Sequence, residues 1–153
     1  MAGKTLALVE LMRPKNMVLA AITVPLGAHF GMNGAWNADH GLAVAVQIFT
    51  VLTFMGAGNA MNDIKDAAID LIAHPARPLP SGRITDTEAK RFVGVLWILS
   101  VGSMLTGAYL LHSSGDAWWP LATIYVIAVA LMLTYDLGPE TKTKGLIGNV
   151  SIS

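Results

Sequence analysis

The sequence predicts an all-α, multi-pass transmembrane helical bundle, with four complete spans and the start of a fifth in one domain of residues 1–153. Three observations predict it. Of the 153 residues, 54% are hydrophobic and only 13% charged, where a soluble domain carries about a quarter charged residues. The apolar residues fall in long uncharged runs, without the alternation of strands. Every Lys and Arg lies in residues 1–15, in the central segment 65–91 or in 136–144, and the loops 33–40 and 112–117 have none. Four spans that alternate in direction put all ten positive residues on one side, and the positive-inside rule makes that side cytoplasmic. A multi-pass protein of the cell membrane follows, with its N-terminus on the cytoplasmic side. Membrane lipids are its surroundings, and no nucleic-acid partner is expected.

Each element has a local cause. Residues 1–15 read as an interfacial helix with Leu6, Leu8, Val9, Leu11 and Met12 apolar. The first span runs from Met17 to about Met32 and starts at Asn16 or earlier, since its bare apolar run is short for a bilayer. No small-residue cleavage pattern follows it, so it reads as a retained span. Pro25 should kink it. The loop 33–40 leads to a second span, Leu42 to Met61. Gly56 and Gly58 there allow close helix contact. Pro75, Pro78 and Pro80 forbid a regular helix, so His74–Gly82 is expected as an extended loop. Thr85 and Glu88 fit a capping box for the third span, about Phe92 to Leu111. Trp118 and Trp119 suit an aromatic belt before the fourth span, Leu121 to Tyr135. Gly145 onward begins another apolar segment. Without cysteine, disulfides, thiol nucleophiles and zinc–thiolate sites are excluded. His29, His40, His74 and His112 have no metal-binding spacing and read as structural or interfacial.

The chemistry concentrates between Asn59 and Arg83, at the cytoplasmic mouth of the second span. Asn62, Asp66 and Asp70 recur at steps of four, which stacks them along one drifting helix face, with Asp63 on the neighbouring strip. Carboxylates this close raise the cost of ionising one another. A hard divalent cation such as Mg²⁺ removes that conflict, and it typically shares its shell with substrate phosphates. The bland alternative is a solvated acidic helix end. Asn59, one turn deeper, is either a ligand or a helix–helix hydrogen bond. Lys65 reads as a solvated neighbour.

Asn62-Asp63-x-x-Asp66-x-x-x-Asp70, followed by His74-Pro75-x-Arg77-Pro78-x-Pro80-Ser81-Gly82-Arg83, resembles the first aspartate-rich motif of UbiA-type intramembrane prenyltransferases. The short Asp70–Arg77 linker, the Arg13-Pro14-x-Asn16 entry and the Lys142…Gly145-Leu146-Ile147-Gly148-Asn149 run after Tyr135 look most like its archaeal ether-lipid branch.

The resemblance implies transmembrane helices around a central cavity, where a polyprenyl diphosphate is held by Mg²⁺ between two aspartate-rich motifs. It makes Asn62, Asp63, Asp66 and Asp70 metal ligands, with Asp63, Asp66 and Asp70 catalytic. It makes Asn59, Arg77, Arg83, Arg13, Asn16, Tyr135 and Lys142 substrate-binding. The implied reaction is Mg²⁺-dependent transfer of a polyprenyl group, geranylgeranyl in this branch, to a lipid acceptor, geranylgeranylglyceryl phosphate. Transfer to an aromatic acceptor is the alternative, as in the quinone and chlorophyll branches, and a non-catalytic prenyl-diphosphate-binding role is a third. Members are roughly twice this long and carry their second aspartate-rich motif in the other half. The chain therefore reads as an N-terminal part, inactive alone.

Overall fold

The computed structural model describes residues 2–34 and 37–137. They form six helices: α1 (Ala2–Leu11), α2 (Pro14–Gly31), α3 (Ala38–Lys65), α4 (Ala67–Ala73), α5 (Asp86–Ser113) and α6 (Trp119–Leu137). There is no strand among the described residues. Helices α1, α2, α3, α5 and α6 occupy the segments expected as an interfacial helix and four spans. The segment from Gly145 onward lies outside the described residues.

Local sequence sets the helix ends. Pro14 sits in the first turn of α2, where its missing N–H is no loss. The helix then continues through Pro25. Asn37 caps α3 by accepting the N–H of His40 at 2.8 Å. Thr85 and Glu88 form the expected capping box. The Thr85 hydroxyl accepts the Glu88 N–H at 3.2 Å, and the Thr85 N–H donates to Glu88 Oε2 at 2.8 Å. We expect Thr85→Ala to cost about 1 kcal/mol, seen as a lower midpoint of thermal unfolding in detergent.

The helix ends also fix direction. His40, at the start of α3, meets Asp116, just after α5, at 3.1 Å. At the other end of α3, Asn59 donates to the Met12 carbonyl, just before α2, at 2.9 Å. Helices α2 and α5 therefore run opposite to α3. The described cationic residues gather at the Asn59 end, and the two connections at the His40 end carry none.

Helix α3 is the hub: it touches every other helix, and its longest seam is with α5. Several polar groups on that seam pair with one another. Thr50 donates to Ser103 Oγ at 2.9 Å, and Ser100 lies 2.9 Å from the Tyr125 hydroxyl of α6. Close approach at the glycines is as expected. A Cβ at Gly56 would come within 2.8 Å of Met12 Cε, and one at Gly58 within 2.6 Å of Met132 Sδ.

Helices α3 and α5 are each long and apolar enough to cross a membrane. The outward faces of the bundle carry Leu19, Phe30, Ile98 and Ile124, all exposed. That pattern suits hydrocarbon as the surrounding solvent. A compact core lies at the charged end, where Ala7 and Leu11 of α1 pack with Ala60, Ile84, Ala89 and Val93. The first helix is thus bolted to the bundle beneath the candidate site.

Two expectations are corrected. The segment 74–82 is a run of tight turns, not an extended loop. Arg77 N–H bonds the His74 carbonyl, Ser81 N–H the Arg77 carbonyl and Gly82 N–H the Leu79 carbonyl. Prolines pre-set the φ that turns need, and Gly82 takes a φ of 70° that other residues resist. The acidic helix is also broken, because α3 stops at Lys65 and α4 starts at Ala67, with Asp66 between them at φ −88°, ψ 4°. The ladder survives the break. Asp66 N–H reaches the Asn62 carbonyl at 2.8 Å and Asp70 N–H the Asp66 carbonyl at 2.9 Å.

Candidate functional site

A cleft of about 610 Å³ opens at the charged end, lined by Glu10, Arg13, Asp63, Ala73, His74, Pro75, Ala76, Arg77 and Pro78. Of the acidic motif, Asp63 lines it. Asp63 and Asp70 are 5% and 4% exposed, whereas Asn62 and Asp66 are half-buried. The reason is helical phase. Seven residues miss two full turns by only about 20°, so Asp63 and Asp70 share a face more closely than the series at steps of four.

Two buried carboxylates need compensation. Arg13 Nη2 donates to Asp63 Oδ1 at 2.5 Å. Arg77 Nη1 donates to Asp70 Oδ2 at 2.5 Å and lies 3.5 Å from Asp63 Oδ1. One guanidinium therefore reaches both aspartates. These cations arrive from separate elements, the α1–α2 junction and the proline-rich turns. Both arginines keep about a third of their side chains exposed to the cleft.

Arg13 is delivered by a costly backbone. Its φ of 54° and ψ of 67° are left-handed, a conformation that costs a side-chain-bearing residue about 1 kcal/mol. Such strain persists where the surroundings over-determine it. Here Pro14 follows it, and Asn59 holds the carbonyl of the preceding Met12 at 2.9 Å. The Asn59 amide N–H is thus committed to the α1–α2 junction beside Arg13.

The structure separates the other expected site residues. Arg83 stands at the rim, with its donors directed to Glu10, Ser81 and the Ala76 carbonyl. Asn16 is exposed in the first turn of α2, with its N–H on the Arg13 carbonyl at 3.0 Å. Tyr135 falls in the last turn of α6. Its side chain, like all of Lys142, lies outside the described residues.

Sequence reasoning did not single out Glu10, and it read His74 as structural, yet both line the cleft. One signal was available for Glu10, the only acidic residue before Asp39. Arg83, by its hydrogen bond, holds the Glu10 carboxyl below the usual carboxylate range. A carboxyl depressed in the fold adds stability at neutral pH that is lost as pH falls through the depressed value. We therefore expect the difference in thermal midpoint between wild type and Glu10→Gln to be largest near neutrality and to close in acid.

Among the described residues, no three His, Asp or Glu side chains stand together as a ready metal cage. The donor chemistry nevertheless fits a hard cation. Asp63, paired with Arg13 and Arg77, and Asp70, paired with Arg77, offer only oxygen.

Residues 19–153 match the UbiA prenyltransferase family. The chain is 35% identical over 144 residues to the digeranylgeranylglyceryl phosphate synthase of Methanobrevibacter smithii, covering 94% of this chain and 46% of that protein. It is 36% identical over 145 residues to the synthase of the same name from Methanothermobacter thermautotrophicus, covering 95% and 45%. A solved structure, described as giving insights into digeranylgeranylglyceryl phosphate synthase in membranes, matches with a TM-score of 0.77 at 30% identity. That match covers 97% of this chain and 48% of that one. The chain spans about half the length of the curated relatives it matches.

Proposed function

This chain belongs to the UbiA prenyltransferase family, and we propose that its cleft is the diphosphate-binding end of an intramembrane prenyltransferase of ether-lipid synthesis. Members of the family are generally metal-dependent. The observation that carries the reading is the meeting of Asp63, Asp70, Arg13 and Arg77 at the mouth of an apolar helix. Carboxylates and guanidiniums side by side are what a metal-bound diphosphate requires, one set for the cation and one for the anion.

In this reading Asp63 and Asp70, with Asn62 and Asp66, hold Mg²⁺. When bound there, the cation would supply positive charge to offset that developing on a departing diphosphate. Arg13 and Arg77 present forked donors to the diphosphate oxygens. The apolar spans keep water from the allylic cation left by C–O cleavage, so that an acceptor hydroxyl captures it and loses its proton. The donor is geranylgeranyl diphosphate and the acceptor geranylgeranylglyceryl phosphate, by analogy with the named relatives. The cleft faces the cytoplasm, because the described cations cluster at its end.

A transfer assay on the longest gene product that carries this chain tests the reading. Labelled geranylgeranyl diphosphate and Mg²⁺ are offered with geranylgeranylglyceryl phosphate or with 4-hydroxybenzoate. Labelled lipid from the first acceptor is the expected result. Product only from the second would move the protein to an aromatic acceptor. No product with either, beside intact Mg²⁺-dependent diphosphate binding, would leave a binding role.

A further inference from the structure

Arg83 does not line the cleft, although it belongs to the same arginine- and proline-rich segment as Arg77. Its guanidinium makes a forked pair with Glu10 of α1, Nη1 to Oε1 at 3.0 Å and Nη2 to Oε2 at 2.6 Å. The same group donates to the Ala76 carbonyl at 2.8 Å, and its Nε donates to Ser81 Oγ at 3.1 Å. Ser81 in turn donates to the Arg77 carbonyl at 2.6 Å. Arg83 thus grips the turns on both sides of Arg77 and ties them to α1, which Leu11 buries firmly in the bundle.

We propose that Glu10 and Arg83 are positioning residues, a clasp that holds the 76–83 turns so that Arg77 stays over Asp63 and Asp70. The inference rests on the diphosphate-binding reading above. It assigns a role to Glu10 and moves Arg83 from ligand to support. Arg77 has no helix to fix it, so the placement of its guanidinium depends on the turns that carry it. A forked pair anchored at a rigid helix supplies the missing constraint.

Electrostatics and positioning predict opposite signs for Glu10→Gln. Removing a carboxylate from the wall of an anion site should by itself tighten binding of an anion. Loosening the Arg77 turns should weaken it. The test measures Mg²⁺–pyrophosphate binding by calorimetry, and amide exchange over residues 76–83, in the longest gene product carrying this chain. Wild type, Glu10→Gln and Arg83→Lys are compared, the last keeping the charge without the fork.

The expected result is pyrophosphate binding weakened several-fold in both variants, with faster exchange confined to 76–83 and the rest of the bundle protected. Unchanged or tighter binding in Glu10→Gln, or unchanged exchange in those turns, would overturn the proposal. An exchange increase spread over α3 and α5 would also overturn it, because it would make the pair a general staple. Failure of the wild type to bind pyrophosphate would overturn the functional reading and the positioning role with it. The exchange data would then still show whether the clasp itself exists.

Discussion

Asp70→Asn, made in the longest gene product carrying this chain, lowers prenyl transfer by about a hundredfold to a thousandfold, the size of effect seen when one preorganised charge-stabilising group is removed. The substitution keeps the shape of the side chain and removes its charge. Asp70 is 4% exposed and paired to Arg77 at 2.5 Å. Its side chain is therefore held in place by a partner, without the reorganisation that water would need. An amide in its place is a poorer ligand for a hard cation and a weaker acceptor for the guanidinium. Folding should suffer less than activity. Removing one member of a buried pair costs up to about 3–5 kcal/mol, but Arg77 is partly exposed and can return to solvent. Retained thermal stability with lost turnover is the expected pattern. Near-wild-type turnover at limiting Mg²⁺ would remove Asp70 from the site.

Arg77→Ala gives the second large effect, and here binding and folding compete. One charge-assisted contact contributes about 1.5–3 kcal/mol, so affinity for prenyl diphosphate should fall roughly tenfold to a hundredfold. The same change leaves Asp70, which is buried, without the partner that holds it at 2.5 Å, and destabilisation of a few kcal/mol follows. Arg77→Lys separates the two effects. A lysine restores a point charge beside the aspartates but not the planar fork. It should recover most of the stability and little of the diphosphate affinity, measured by thermal unfolding and calorimetry. Recovery of both together would make Arg77 a generic counter-charge.

Much of this arrangement is legible in sequence where the cause is local. The spans follow from uncharged apolar length, and the capping box follows from Thr85 and Glu88 three positions apart. The cationic end follows from where the lysines and arginines fall. The acidic motif announces itself because aspartate beside a membrane span is expensive. What escapes is long-range or a matter of fine phase. Steps of four draw attention to Asn62, Asp66 and Asp70, but burial selects Asp63 and Asp70, seven apart and nearly in register. The prolines of 75–80 exclude a helix without distinguishing an extended loop from stacked turns; the choice falls to hydrogen bonds such as Ser81 to the Arg77 carbonyl. Arg13 can be suspected as cavity-facing, but its left-handed backbone depends on how α1 packs on α3. Glu10 and Arg83 are 73 positions apart, so no local pattern could join them.

The central claim is that the Asp63–Asp70 pair with Arg13 and Arg77 receives a metal-bound prenyl diphosphate. Calorimetric titration of geranylgeranyl diphosphate into the longest gene product carrying this chain tests it most directly. Wild type and the double variant Asp63→Asn/Asp70→Asn are each titrated with Mg²⁺ and with a chelator. The account predicts binding by wild type in Mg²⁺ that is lost both in chelator and in the double variant, with the variant still folded. Equal affinity in all four titrations would contradict it, because binding would then need neither the cation nor the carboxylates proposed to hold it.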